Sequence, residues 1–301
     1  MPEHWSSREG SPGEVGQLNF GSLSVRVRGE VPGPLAGFLR TDWQRQATDW
    51  PALHTLTLSL LVEPPEGQQV VGRQVLAHTH AGPLEFRAEG EVFSTPGLTL
   101  QTSALHSHMA LNTQVSAAAL LLAFSEVQRA AGLLSLHASV LHRAGQTVAI
   151  SGPSGAGKST AALRLLGLDW KLVAEDWAWF DPHTLRLVGW DSGLRLRPES
   201  LERFAPELLQ AAPTDAHGKK VLSPPTLAGV HSLNALYFLT PQLPDAVALP
   251  PALGRVRAVW GMVGVPLTPA ARQATQAGVN RLLAGVPMER IDRDELVKRL
   301  T

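Results

Sequence analysis

Gly152-Pro153-Ser154-Gly155-Ala156-Gly157-Lys158-Ser159 is a full match to the phosphate-loop pattern Gly-x-x-x-x-Gly-Lys-[Ser/Thr]. Before it, Thr147-Val148-Ala149-Ile150-Ser151 is a β-branched and apolar run that predicts a buried strand. After it, Ala161-Ala162-Leu163-Arg164-Leu165-Leu166 is a run of helix formers stopped by Gly167. Strand, glycine turn and helix N-terminus are the parts that anion binding requires. Gly155 and Gly157 give the backbone conformations closed to other residues, so consecutive N–H groups converge on one concavity. The helix dipole adds positive potential there. Thr160 extends the cradle by one N–H. Lys158 would reach the β- and γ-phosphates, and the Ser159 hydroxyl would hold Mg²⁺. The expected ligand is a nucleoside triphosphate, with ATP the default.

Composition narrows the setting. A hydrophobic content of 44 % with 17 % charged residues in 301 residues predicts a globular chain of one large or two ordinary domains. The formal net charge of zero offers no broad electrostatic attraction to nucleic acid or to an anionic membrane. Cysteine is absent, which excludes disulfides and thiolate metal sites and fits a reducing cytoplasm. Met1-Pro2-Glu3-His4-Trp5 lacks the basic and apolar regions of a signal peptide. Val115 to Phe124, the longest apolar stretch, is too short to span a bilayer and reads as a buried helix.

Two parts are legible. Residues 1–112 read as a small, mostly β domain. Leu18-Asn19-Phe20, Leu23 to Val27, Leu56 to Leu60 and Leu84 to Arg87 carry the strand pattern. Turns are expected at Pro32-Gly33-Pro34, Pro64-Pro65-Glu66-Gly67, Ala81-Gly82-Pro83 and Pro96-Gly97. Residues 113–301 read as the nucleotide domain, opened by a helix from Thr113 to Ala131 that ends at Gly132. There Leu133 to Leu141, a turn at Arg143 to Gln146, and the run before the phosphate loop form an expected hairpin. Lys171-Leu172-Val173-Ala174 is the next strand, and Trp177 to Phe180 with Leu185 to Val188 a second hairpin. Ala211 to Pro225 reads as a mobile loop, Asn234 to Leu239 as a strand, and two or three helices finish the chain. The fold class is therefore α/β in the broad sense, or α+β.

Glu175-Asp176 ends the Lys171–Ala174 strand, the place where α/β folds present ligands. Phosphoryl transfer needs a metal-holding group and a group that orients or deprotonates the acceptor. Adjacent strand residues point to opposite faces, so two acids can divide those tasks. Asp176 lies only 24 positions after Gly152, closer than motor and transporter ATPases place their metal acid. His137 alternates with the apolar Leu134, Leu136, Ala138 and Val140. It should therefore share the opposite, polar face with Ser135 and Ser139. Taken alone it reads as a solvated histidine or as a catalytic one. His78 with His80, and His106 with His108, read as surface pairs on strands.

Taken together, the histidine 15 residues before Gly152, the loop, and the string Leu172-Val173-Ala174-Glu175-Asp176 resemble the bacterial HPr kinase/phosphorylase C-terminal domain. The resemblance is strong over residues 133 to about 180 and looser beyond. It implies a twisted sheet around a phosphate loop, the fold shared with phosphoenolpyruvate carboxykinase. It also implies catalytic roles for His137, Lys158 and Asp176, with Asp176 accepting the proton of the acceptor hydroxyl. Ser159 would hold Mg²⁺, and ATP would be the donor; of the acid pair, the division of tasks leaves Glu175 to fix the metal. Glu175 stands where the family has aspartate. The family's Glu-Ile-Arg-Gly-Leu-Gly segment has no clear counterpart, its region being occupied by Ser192 to Pro198, and the Pro-Gly-Arg segment is absent. The expectation is thus a divergent HPr-kinase-like phosphotransferase acting on a hydroxyl of a protein or peptide. A small-molecule kinase and a nucleotide-dependent switch remain open alternatives, as does self-association. Arg195, Arg197 and Gly218-Lys219-Lys220 are candidates for clamping phosphates or an acidic acceptor.

Overall fold

The computed structural model describes residues 14–20, 23–28, 54–60, 73–79, 82–112, 114–191, 193–215, 217–240 and 266–301. The turns expected around residues 32–34 and 64–67, Met1 to Trp5, Thr113 and Ser192 lie outside these. The protein is a mixed α/β chain forming two compact units. Among the described residues no helix is long and apolar enough to cross a membrane.

The first unit comprises residues 1–133 and 265–278. Its strands are β1 (Glu14–Phe20), β2 (Leu23–Arg28), β3 (His54–Leu60), β4 (Arg73–Thr79), β5 (Gly82–Glu89), β6 (Val92–Thr95), β7 (Leu98–Thr102) and β8 (His106–Leu111). They form one sheet in the order β1-β2-β3-β8-β7-β6-β5-β4. Period-2 alternation buries Leu84 and Phe86 on β5, and Leu98 and Leu100 on β7. Helix α1 (Ala117–Ala130) begins at Ser116, whose hydroxyl accepts the Ala119 N–H at 3.1 Å, and packs on β5 and β7. The sequence placed this helix after a division at 112/113. Its small, apolar buried face (Ala118, Ala119, Leu120, Ala123, Val127) instead joins it to the first unit. Inside that unit, the buried Glu126 carboxylate accepts the N–H groups of Leu267 and Thr268 at 2.8 and 2.5 Å. These donors lie immediately before the helix that begins at Pro269.

His54 is a second buried polar group of this unit, 2 % exposed. It lies between the Ala104 carbonyl at 3.3 Å and the Ser107 hydroxyl at 2.9 Å. Burial lowers its pKa to about 4 against the opposing Ala104 hydrogen bond, with His106 adding to the fall. The folded value lies below the unfolded one, so this stabilisation is present above pH 6.5 and is lost as pH falls towards 4. Its size is about 3 kcal/mol. In denaturant titrations, His54→Gln should flatten the loss of stability across that window. Parallel curves for the two proteins would refute the assignment.

The second unit comprises residues 134–264 and 279–301. Strands β9 (Leu134–Leu136), β10 (Ala138–Arg143) and β11 (Gln146–Ser151) lead into α2 (Lys158–Leu166), followed by β12 (Lys171–Ala174). Then come β13 (Ala178–Asp181), β14 (Arg186–Gly189), β15 (Leu194–Leu196), α3 (Pro198–Phe204), β16 (Lys220–Leu222), β17 (His231–Ser232) and β18 (Ala235–Leu239). Helix α4 (Pro269–Gly285), whose residues up to Gly278 belong to the first unit, β19 (Met288–Ile291) and α5 (Arg293–Leu300) follow. A five-stranded sheet runs β12-β10-β11-β18-β19, with β11, β18 and β19 mutually parallel. A four-stranded antiparallel sheet runs β17-β14-β13-β9.

Alternation on the five-stranded sheet builds two cores. Leu141, Val148, Ile150, Leu172 and Tyr237 face a cluster with Ala161, Leu165, Leu296 and Leu300 of helices α2 and α5. Val140, Ala149, Val173 and Leu236 face the other way, onto Leu134, Leu136, Phe180 and Leu187 of the four-stranded sheet. The two sheets approach closely at Gly189, where a Cβ would fall 1.9 Å from the Val173 carbonyl oxygen. Only glycine fits there.

Four expectations change here. The run from Leu133 to Leu141 is two strands, not one, because β9 pairs with β13 while β10 pairs with β11 and β12. The face of Ser135 and Ser139 is not solvated, since both are buried against neighbouring structure. The loop from Ala211 to Pro225 holds β16, recruited by pairing with β15, and β19 stands where only helices were expected.

Candidate active site

The phosphate loop leaves β11 at Ser151, and α2 begins at Lys158. Gly152, Gly155 and Gly157 all take positive φ, at 152°, 82° and 96°, as a loop that gathers its N–H groups requires. Ser154 and Gly155 are exposed at the tip, Pro153 is half-buried, and Ala156 is buried beneath. Lys158 folds back so that Nζ donates to the Gly152 carbonyl at 3.1 Å. Ser159 Oγ donates to Glu175 Oε1 at 2.5 Å, joining the loop to the acid pair. Thr160 Oγ1 is 2.9 Å from Ser200 Oγ of α3, so its side chain is engaged in packing and only its backbone is left for a ligand.

The acid pair follows β12 directly. Pairing of β10 with β12 (Val140↔Ala174) places the residue before β10, His137, beside the residues after β12. His137 Nε2 lies 2.8 Å from Asp176 Oδ1. The Ser151 hydroxyl donates to the His137 carbonyl at 2.9 Å, tying this histidine to the base of the phosphate loop. The break between β9 and β10 thus falls at the residue that meets the acid. The structure brings His137, Lys158, Ser159, Glu175 and Asp176 together.

Electrostatics divide the two acids. Burial, with only 3 % of Glu175 exposed, raises its pKa to about 8; neighbouring Asp176 adds to the rise, against the Ser159 hydrogen bond. Burial also pushes Asp176 up, but the His137 hydrogen bond and charge, with Lys158 and Lys219, outweigh it and hold the carboxyl below its usual range. Asp176 is the ionised member at neutral pH, and burial keeps Glu175 the protonated one.

Asp191 is a member of the site that motif reading missed. Its carboxylate accepts the N–H groups of Glu175 at 3.0 Å, Asp176 at 3.0 Å and Trp177 at 3.1 Å. Three bonds to consecutive backbone donors fix the turn that carries both acids. Burial raises the Asp191 pKa and Asp176 contributes to the rise, while the three backbone bonds oppose it. Trp177 packs against Trp179 and Trp190 with tilted rings, centroids 5.6 and 5.2 Å away, and anchors the residue next to Asp176.

The basic clusters are sorted less generously. Arg195 is exposed, with Nε 4.0 Å from Asp215 Oδ2, and Arg197 is exposed before α3. Lys220 donates to the Ala212 carbonyl at 3.0 Å. Lys219 is the one whose charge is felt at Asp176. It sits in a turn organised by Asp215, which accepts the N–H groups of His217 and Lys219 at 2.8 and 2.9 Å. His106 and His108 are exposed on β8.

Among the described residues no group of three His, Asp or Glu could hold a metal by itself. The donors at Ser159 and Glu175 still suit Mg²⁺, which is commonly bound through one or two protein oxygens plus phosphates and water. A buried carboxylate with a raised pKa, touching a hydroxyl, is what such an ion would relieve. No protein-family model matches the chain, and no curated protein matches it.

Proposed function

We propose that the protein is an ATP-dependent kinase of the HPr-kinase-like group, with the fold of that group and of phosphoenolpyruvate carboxykinase. It would transfer the γ-phosphoryl group to a hydroxyl of a protein or peptide. The observation that carries the reading is the 2.8 Å His137–Asp176 pair set beside the Ser159–Glu175 contact at the phosphate loop. The acceptor class rests on the sequence resemblance.

The chemistry follows from the positions. Backbone N–H groups of the loop and Lys158 hold the triphosphate. Mg²⁺ held by Ser159 and Glu175 supplies charge neutralisation on the phosphate oxygens when bound. Asp176, ionised and aimed by His137, takes the acceptor's hydroxyl proton as that oxygen bonds to the γ-phosphorus. The bond from phosphorus to the β–γ bridging oxygen breaks, and ADP leaves with its electron pair.

Lys158→Ala removes a charge-assisted phosphate contact. It should weaken Mg-ATP by about 1.5–3 kcal/mol. Titration calorimetry reads this directly. An unchanged affinity in a folded variant would overturn the phosphate-loop assignment.

A further inference from the structure

We infer that Arg293 is a second cationic contact for the nucleotide phosphates, delivered by the last helix of the same chain; this rests on the phosphate-loop reading above. Strands β11, β18 and β19 are parallel, with Ser151 opposite Phe238 and Leu239 opposite Ile291. The Thr240 N–H donates to the Ile291 carbonyl at 3.1 Å. Their C-terminal ends therefore reach one edge, where parallel sheets present ligands. From that edge β11 enters the phosphate loop, and β19 passes through Asp292 into Arg293, the first residue of α5.

Arg293 lies on the loop itself. A Cβ built on Gly157 would fall 2.9 Å from Arg293 Cδ and 3.4 Å from Nη1. The arginine thus fills the space that a side chain at position 157 would take. Its own side chain is only 14 % exposed. At the first position of its helix, a cation opposes the helix dipole.

The ion pair it makes is shared. Asp294 contacts Arg164 and also Arg293, at 3.5 Å from Nε. One carboxylate thus serves two guanidinium groups, and the neighbouring Asp292 carboxylate is turned to the N–H groups of Asp294 and Glu295, so the Arg293 fork keeps donor capacity for phosphate oxygens. A guanidinium presents five N–H donors in a planar fork that matches phosphate oxygens. Arg293 is therefore a preorganised donor set that a polyphosphate would complete.

The test uses the full chain and Mg-ATP. Arg293→Met keeps the aliphatic stem against Gly157 and removes the fork. Its Mg-ATP affinity should fall about 10- to 100-fold. Melting without nucleotide should change little. Arg293→Lys keeps the charge without the fork and should lose affinity several-fold. Wild-type affinity in a folded Arg293→Met protein would overturn the inference. Should that variant not fold, wild-type affinity in Arg293→Lys would overturn it instead. Lys158→Ala in the same series separates the two readings. If only that variant loses ATP, the Arg293 contact alone is wrong. If neither loses it, the phosphate-loop assignment has failed.

Discussion

Asp176→Asn is expected to lower phosphoryl transfer about 10²- to 10⁴-fold, equivalent to roughly 3–5 kcal/mol of barrier. Mg-ATP affinity should stay near that of the wild type. The substitution keeps the shape of the side chain and its reach to His137 while removing the ionised oxygen that takes the acceptor proton. The effect on binding is the diagnostic part. A large loss of Mg-ATP affinity would mean that Asp176 holds the metal, and full transfer activity would mean that no proton goes to it. His137→Ala should cost less. His137 acts through Asp176, holding the carboxyl below its usual range against the upward push of burial. Removing the histidine leaves burial with less opposition, so the acidic limb of the pH–rate profile should move up towards neutral pH. A purely structural histidine would lower stability without moving that limb.

The contrast between Asp176 and Asp191 shows what a sequence can and cannot disclose here. The phosphate loop and the Glu175-Asp176 pair are local patterns, each readable because its residues are neighbours in the chain. His137 is also near in sequence, but its meaning depends on β10 leaving the sheet that holds β9, and alternation alone assigned it a polar face. That face carries Ser135 and Ser139, both buried, so periodicity misjudged their surroundings, and the histidine it set among them is the one that meets Asp176. Asp191 has no motif because its partners are backbone N–H groups, which every residue possesses. Its signal would have been a lone acid just after a β14 strand that returns beside β12. Arg293 is farther still, 136 residues after Gly157 in the chain. It reaches the loop only through the parallel pairing of β18 with β19. Met288-Glu289-Arg290-Ile291 has little intrinsic preference for a strand, and the sheet edge overrides it. Helix α1 failed as a boundary marker for a similar reason. Its pattern identified a helix, and only packing shows which sheet takes its buried face.

The stability of the protein without nucleotide should show what the site costs. Glu175 has a folded-state pKa of about 8, above its ordinary 4.5, because it is buried and sits next to Asp176. A value raised on folding means the contribution is intact below pH 4.5 and is lost as pH rises towards 8. The difference amounts to several kcal/mol, on the order of 5. Glu175→Gln removes the titration, and its amide oxygen can still accept the Ser159 hydroxyl. The variant should unfold near the wild-type midpoint at pH 4.5 and at clearly higher denaturant at pH 8.5, measured with a chelator present. Such a gain would mark Glu175 as a residue whose ionised form is unfavourable until a cation arrives, the usual relation between a functional carboxylate and the fold around it. Curves that stay parallel across the range would mean that the carboxylate is already compensated, and the case for a metal at Ser159 and Glu175 would lose its physical basis. Adding Mg-ATP to the wild type at pH 8.5 supplies the complementary arm. Ligand that draws on the ionised carboxylate should recover the stability lost between pH 4.5 and 8.5, and should recover much less in Glu175→Gln.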